Sequence, residues 1–169
     1  MANICRTEIT IVASPEAIEG FVERFEKCHS GKYPNEENTP HIIDEFGAKA
    51  ELLIDRIGSK WVQIYDDGIY HSRANQCEFS LESAWYPPSD MILEMFRQLE
   101  EIDPEVKMYG KYWDEGYKPI GMFEVYYGII IDVEEELDVD EDMEYFWDEV
   151  VEPAFDGLQS RLDKKMKNI

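Results

Sequence analysis

"ESAWYPPSDMILEMFRQLEE", residues 82–101, changes character in its middle. It begins as a strand, passes through two prolines, and continues with apolar residues at helical spacing. A residue before proline is pushed out of the α region, so Tyr86 and Pro87 must both stay extended. The helix that follows runs from Asp90 to about Ile102. Met91 or Ile92, Met95, Phe96 and Leu99 form its buried stripe, and Asp103-Pro104 ends it. The stretch therefore predicts a strand, a stiff corner and a helix. Trp85, Pro87 and Pro88 form that structural corner, with Trp85 as a buried anchor that fixes the helix direction rather than a platform for a ligand.

Upstream, Ile4 to Val12 alternates like a strand entering a core. Ser14 then caps a helix with Pro15 at its first position, and Ile18, Phe21, Val22 and Phe25 make one apolar stripe to about residue 28. Residues 29–47 are rich in Gly, Pro and Asn and read as a surface loop with a short turn around Ile42 to Phe46. Residues 49–57, 60–66 and 72–84 read as strands, with Asp66-Asp67-Gly68 as a turn. Downstream, 106–113 and 121–131 read as two more strands, joined near Glu115 to Pro119. Phe146, Val150, Phe155, Leu158, Leu162 and Met166 recur at helical spacing, and Pro153 should kink or restart that last helix. Two strand–helix passes on a mainly antiparallel sheet predict an α+β two-layer sandwich of the split-βαβ kind. Two helices would cover one face, with an extra C-terminal helix. The whole chain, 1–169, reads as one domain, with a core of about 1–131 and an appendage of 132–169.

Composition narrows the function classes. The 169 residues carry 38 acidic and 16 basic side chains, a net charge of −22, yet 44% of them are apolar. That apolar content suffices for a packed interior, so the charge does not signal disorder. Such a surface repels phosphates and anionic lipid, so neither direct nucleic-acid binding nor a membrane partner is expected, and a charge-selected partner would be basic. No apolar run approaches a membrane span, and the N-terminus lacks the pattern of a signal peptide. Three cysteines, Cys5, Cys28 and Cys77, suit neither a disulfide framework nor a metal site, which points to the cytoplasm.

No catalytic motif stands out. His29, His41 and His71 have no paired ligand spacing, and the glycines form no phosphate loop before a helix. The most unusual segment is acidic. Asp132, Glu134, Glu136, Asp138, Asp140 and Asp142 fall on every second residue, which in an extended chain puts them on one face at roughly 6.5–7 Å spacing. Asp138, Asp140, Asp142 and Glu149 imitate a calcium loop, but Met143 stands where the loop needs glycine. No metal and no cofactor is expected. The ladder is either a contact surface for a basic partner or a solvated linker.

Several local patterns also resemble a known family. Asn3 and Cys5 ahead of an Ile-rich strand, the Ser-Pro-Glu helix start, Ala84-Trp85-Tyr86-Pro87-Pro88, and the Tyr112…Glu115-Gly116…Gly121 hairpin resemble, in order and spacing over about residues 1–130, a ferredoxin-like family of unknown function found in bacteriophages, plasmids and bacterial genomes. Ile4 and Thr7 depart from that family's Trp and second Asn. The resemblance implies a ferredoxin-like fold and a mobile-element setting, and it carries over no catalytic residue. The function expected is a non-enzymatic cytosolic binding protein acting on a protein partner. One alternative is an acidic nucleic-acid mimic occupying the basic groove of a host DNA- or RNA-binding protein. Another is a small hydrolase or nucleotide-binding enzyme using Asp114, Glu115 or His71. A third is a structural protein pairing two copies through an exposed strand edge.

Overall fold

The computed structural model describes residues 3–28, 31, 39–139, 142 and 144–169. The elements are β1 (Ile4–Val12), α1 (Pro15–Glu26), α2 (Ile42–Phe46), α3 (Leu53–Ile57), β2 (Val62–Arg73), β3 (Gln76–Ala84), α4 (Ser89–Glu100), β4 (Lys107–Asp114), β5 (Ile120–Tyr126), β6 (Ile129–Glu135), a π-helical turn (Trp147–Val151) and α5 (Glu152–Lys167). The six strands form one sheet in the order β2-β3-β1-β4-β5-β6, and every neighbouring pair is antiparallel. The chain is thus an α+β protein, as its sequence predicts.

The helices begin where their local chemistry says. Ser14 Oγ accepts the Ala17 amide, and Pro15 opens α1 where no amide is missed. His41 caps α2: its Nδ1 accepts the Ile43 amide, while Asp44 reaches back to the His41 amide. The last helix restarts at Pro153, as expected. Proline offers no amide to the preceding turn, and residues 147–151 take up the mismatch as a π turn.

Cys5, Ile9 and Ile11 of β1 point to one face of the sheet with Cys77, Phe79 and Leu81 of β3 and Met108 and Tyr112 of β4. Helices α1, α2 and α4 cover that face. At its centre the Phe79 ring meets Phe21 and Phe25 at 5.4 and 4.8 Å. Trp113 follows Tyr112 and so points the other way. There it joins Ile120, Val151, Phe155 and Leu158 in a second cluster built by α5. The expected two layers therefore describe only part of the sheet, because α5 adds a layer on the opposite face over β5 and β6.

Four local expectations are corrected. Residues 49–57 contain helix α3, not a strand: Leu53 and Ile57, four apart, pack inward while Leu52 and Ile54 stay exposed. Asp66-Asp67-Gly68 does not end a strand. Strand β2 runs through it, Gly68 takes φ +78°, and the register slips between Ile64 and Ile69, a bulge in place of a turn; the chain reverses instead at Ala74-Asn75, which splits the expected strand 72–84 between the end of β2 and β3. The expected strand 121–131 is two strands, because Tyr127 and Gly128 both take positive φ, 47° and 75°. Two such residues make the tight hairpin turn that matches strand twist, so Ile129 onward folds back as β6.

The fourth concerns Trp85. It is 48% exposed, not buried. Its backbone sits at φ +65°, in the left-handed region, so the extended course of β3 breaks just after the buried Ser83 and Ala84. The corner itself is real. Ser83 Oγ donates to the Tyr86 carbonyl, Ser59 Oγ holds both the Ala84 amide and carbonyl, and Pro88 is buried immediately before α4. Trp85→Ala is accordingly expected to change the unfolding free energy by less than about 1 kcal/mol. A loss of about 3–5 kcal/mol in urea denaturation would restore the anchor role.

Strand β6 is a sheet edge, and α5 blunts it. Lys165 Nζ donates to the Asp132 carbonyl at 2.6 Å and Arg161 Nη2 to the Glu134 carbonyl at 3.3 Å. Occupied edge carbonyls are poor templates for another strand. Among the described residues, no helix is long and apolar enough to cross a membrane.

Candidate functional site

Two features that the sequence places far apart meet in space. Tyr86 and Pro87 of the corner and Asp132 and Glu134 of the acidic ladder line one cleft of about 330 Å³. Its wall is formed by Ile92 of α4, Phe123 of β5 and Ile130 of β6, with Gly58 at the end of α3 and Ser89 at the start of α4. Ile92, Phe123 and Tyr112 are buried, Asp132 is half-buried, and Glu134 and Tyr86 are exposed, so the cleft grades from an apolar floor to an acidic lip.

Tyr112 organises the lip. It sits on β4 opposite Gly121 of β5, which in turn is opposite Glu134 of β6. The Tyr112 ring lies across Gly121, where a Cβ would fall 2.2 Å from its Cζ. The hydroxyl thereby reaches a strand beyond its neighbour, donating to Glu134 Oε2 at 3.0 Å with Asp132 Oδ2 at 3.4 Å. Burial, followed by these two carboxylates, raises the Tyr112 pKa well above the ordinary phenol range and keeps the hydroxyl a donor. One proton is thus shared between two carboxylates. Neither carboxylate meets a basic side chain among the described residues, since Lys165 and Arg161 reach only backbone oxygens at these two positions.

The rest of the ladder keeps its alternation beyond the strand. Glu136 and Asp138 are exposed, while Val133, Leu137 and Val139 pack into the second cluster under α5. Asp138 pairs with Lys118 at 2.5 Å, and the interleaved Glu135 pairs with Arg161 at 3.3 Å. Asp142 is exposed in a turn, and Asp140 lies outside the described residues. The ladder is therefore the polar half of an amphipathic strand and its extension. Two larger grooves, of about 610 and 560 Å³, lie along α1 and at the β5–β6 turn. Neither is lined by a residue that the sequence puts forward for a catalytic or contact site.

The residues of the enzyme alternative do not converge. Asp114 is buried and accepts from Asn3 Nδ2 and the Gly116 and Lys118 amides, and Glu115 accepts the Ile4 amide. Both are tied up in the β4–β5 turn. His71 belongs to the row through Glu78 and Thr10, whereas Asp114 is opposite Cys5. Five residues along β1 separate those rows by roughly 17 Å. His41 serves as a helix cap, and His29 lies outside the described residues. Among the described residues, no group of three or more His, Cys, Asp or Glu side chains is arranged to hold a metal ion.

Burial pushes the Cys5 and Cys77 thiols up from 9.0 to about 12, and Cys28 to about 11. All three are therefore poor nucleophiles at neutral pH. The raised values also set an alkaline limit on stability. The unfolded chain ionises these thiols near their ordinary value, while the fold keeps them neutral. Their contribution is complete below that value and drains away as the pH rises toward 12. The urea midpoint is expected to fall between about pH 9 and about pH 11, and less steeply in Cys5→Ala/Cys77→Ala. A midpoint flat across that range would contradict the burial of the thiols.

Comparison with family models, with curated proteins and with solved structures found no match. Sequence reasoning missed Tyr112, Gly121, Phe123 and Ile130 as site residues. A signal existed for one of them: a glycine inside a strand marks a bulge or a close approach, and Gly121 is the second kind.

Proposed function

We propose that the chain is a binding protein for a basic protein partner, with β6 and its acidic extension as the contact surface. The observation that carries this reading is the exposed run Glu134, Glu136 and Asp138, which begins at a cleft whose two carboxylates meet no basic side chain among the described residues. Charges placed this way strengthen when a complementary surface desolvates and neutralises them.

The strand order β2-β3-β1-β4, with α1 and α4 on one face, supports a ferredoxin-like core to which β5, β6 and α5 are added. The resemblance of residues 1–130 to a phage- and plasmid-associated family supports a mobile-element setting, and the free cysteines Cys5, Cys28 and Cys77 support a cytoplasmic role. The alternation of exposed acids also favours a second reading, in which the row imitates nucleic-acid phosphates and occupies a basic groove.

The structure decides how this is tested. Shuffling the whole segment would expose Val133, Leu137 and Val139, so only the exposed acids are changed. Glu134→Gln/Glu136→Gln/Asp138→Asn is expected to weaken binding of an arginine- and lysine-rich peptide by about tenfold or more at low salt. A control of equal net charge, Glu16→Gln/Glu19→Gln/Glu26→Gln on the exposed face of α1, is expected to change it less than about threefold. Equal weakening by both variants would mean that net charge alone attracts the peptide and that the ladder is incidental.

A further inference from the structure

We infer that the cleft between the Tyr86-Pro87 corner and β6 receives one lysine or arginine side chain of the protein partner. The inference rests on the basic-partner reading and gives it an anchor. A basic side chain has two parts: a hydrocarbon stem that favours apolar surface, and a cationic head that must stay solvated or paired. The cleft offers both in order. Ile92, Phe123 and Ile130 line its apolar depth, and Asp132 and Glu134 stand at its lip.

Charge decides between a cationic and an anionic guest. The start of α4 also faces the cleft through Ser89, and a helix N-terminus carries roughly half a positive charge. Asp90 in the same first turn offsets it. Two carboxylates with no basic partner among the described residues outweigh that half charge, so an anion is repelled. Tyr112 leaves this balance intact, because it supplies one proton and no charge. Its single hydroxyl holds the two carboxylates within reach of each other and leaves their remaining lone pairs for a guest. An arginine fork or a lysine ammonium, each with several donors, fills that deficit. The exposed Tyr86 ring beside the lip adds a face on which a guanidinium can stack.

The test is a titration of the full chain, labelled for NMR, with blocked Gly-X-Gly peptides in which X is arginine, lysine, citrulline or norleucine. Arginine and lysine peptides are expected to shift the signals of Gly58, Phe123 and Ile130, with dissociation constants on the order of 1 mM. Citrulline, which keeps the length of arginine but not its charge, and norleucine, which keeps the hydrocarbon stem of lysine without its ammonium, are expected to bind at least about tenfold more weakly. Asp132→Asn/Glu134→Gln is expected to cost about tenfold for arginine, and Glu136→Gln/Asp138→Asn less than about twofold. Should the double cleft variant lose its spectral dispersion, the exposed Glu134→Gln alone makes the comparison, with about threefold expected.

Equal binding of norleucine, undiminished binding by the cleft variant, or the same shifts produced by calcium or magnesium ions alone would each overturn the proposal. Shifts confined to Glu136 and Asp138 would overturn it too, while leaving the basic-partner reading standing. If the cleft signals respond to arginine but the polybasic peptide ignores the loss of the ladder, the broader reading fails and the cleft survives as a separate site.

Discussion

Gly121→Ala is expected to destabilise the protein by about 3–5 kcal/mol, a large loss for the addition of one methyl group. The new Cβ would stand 2.2 Å from Tyr112 Cζ and 2.4 Å from its Oη. The ring cannot swing aside cheaply, because Tyr112 is 3% exposed and its hydroxyl is bound to Glu134. Overpacking of this kind costs about 1–3 kcal/mol, and displacing a hydrogen bond to a charged group adds about 1.5–3. The control is a double-mutant cycle. In a Tyr112→Ala background the obstacle is gone, and Gly121→Ala should then cost less than about 1 kcal/mol, a coupling well above the additive limit. Urea denaturation of the four proteins measures it. A cost for Gly121→Ala that is the same in both backgrounds would mean that the ring does not lie across the glycine. The acidic lip would then lose its organising contact.

Trp113→Ala is expected to cost a similar amount, about 3–5 kcal/mol, through a different part of the molecule. Trp113 meets Trp147 at 5.3 Å and Phe155 at 6.1 Å, and these contacts join the sheet to the π turn and α5. The core under α1 and α4 lies on the other face and shares none of these contacts. The loss should therefore appear locally in hydrogen exchange, with amides of residues 147–167 losing protection well before those of α1 and α4. Loosening α5 also withdraws Arg161 and Lys165 from the carbonyls of β6, so the edge strand should exchange faster and the variant should self-associate more readily. Uniform loss of protection across the chain would show that the two faces unfold as one unit.

These two residues mark how far local pattern reaches. The period of Ile18, Phe21 and Phe25 and that of Met91, Met95 and Leu99 was legible, and both helices lie where it puts them. The strands β1 and β4 were legible because their buried and less buried positions largely alternate, whereas β3 buries both faces from Phe79 to Ala84 and the expected strand 72–84 ran across the Ala74-Asn75 turn. Where local signals compete, the reading failed. Asp66-Asp67-Gly68 and Tyr127-Gly128 both allow a turn, yet the first became a bulge inside β2 and the second reversed the chain. Pairing with β3 and β5 made that choice, and such pairing lies outside any short window. Trp85 failed likewise, because a left-handed backbone overrode the tendency of a large aromatic to be buried.

The sequence by itself determined the α+β class, the acidic surface, the positions of the long helices and the alternation of Asp132, Glu134, Glu136 and Asp138. Each follows from the chemistry of residues a few places apart, through helical or strand period, capping and charge. Only the tertiary structure decided that Tyr86 and Pro87 share a cleft with Asp132 and Glu134, that Tyr112 reaches them across Gly121, and that Val133 and Leu137 serve a second core. Those contacts join residues from 20 (Tyr112 and Asp132) to 48 (Tyr86 and Glu134) positions apart. What brings them together is sheet register, and register depends on which strand lies beside which, a choice made by burial of the whole chain.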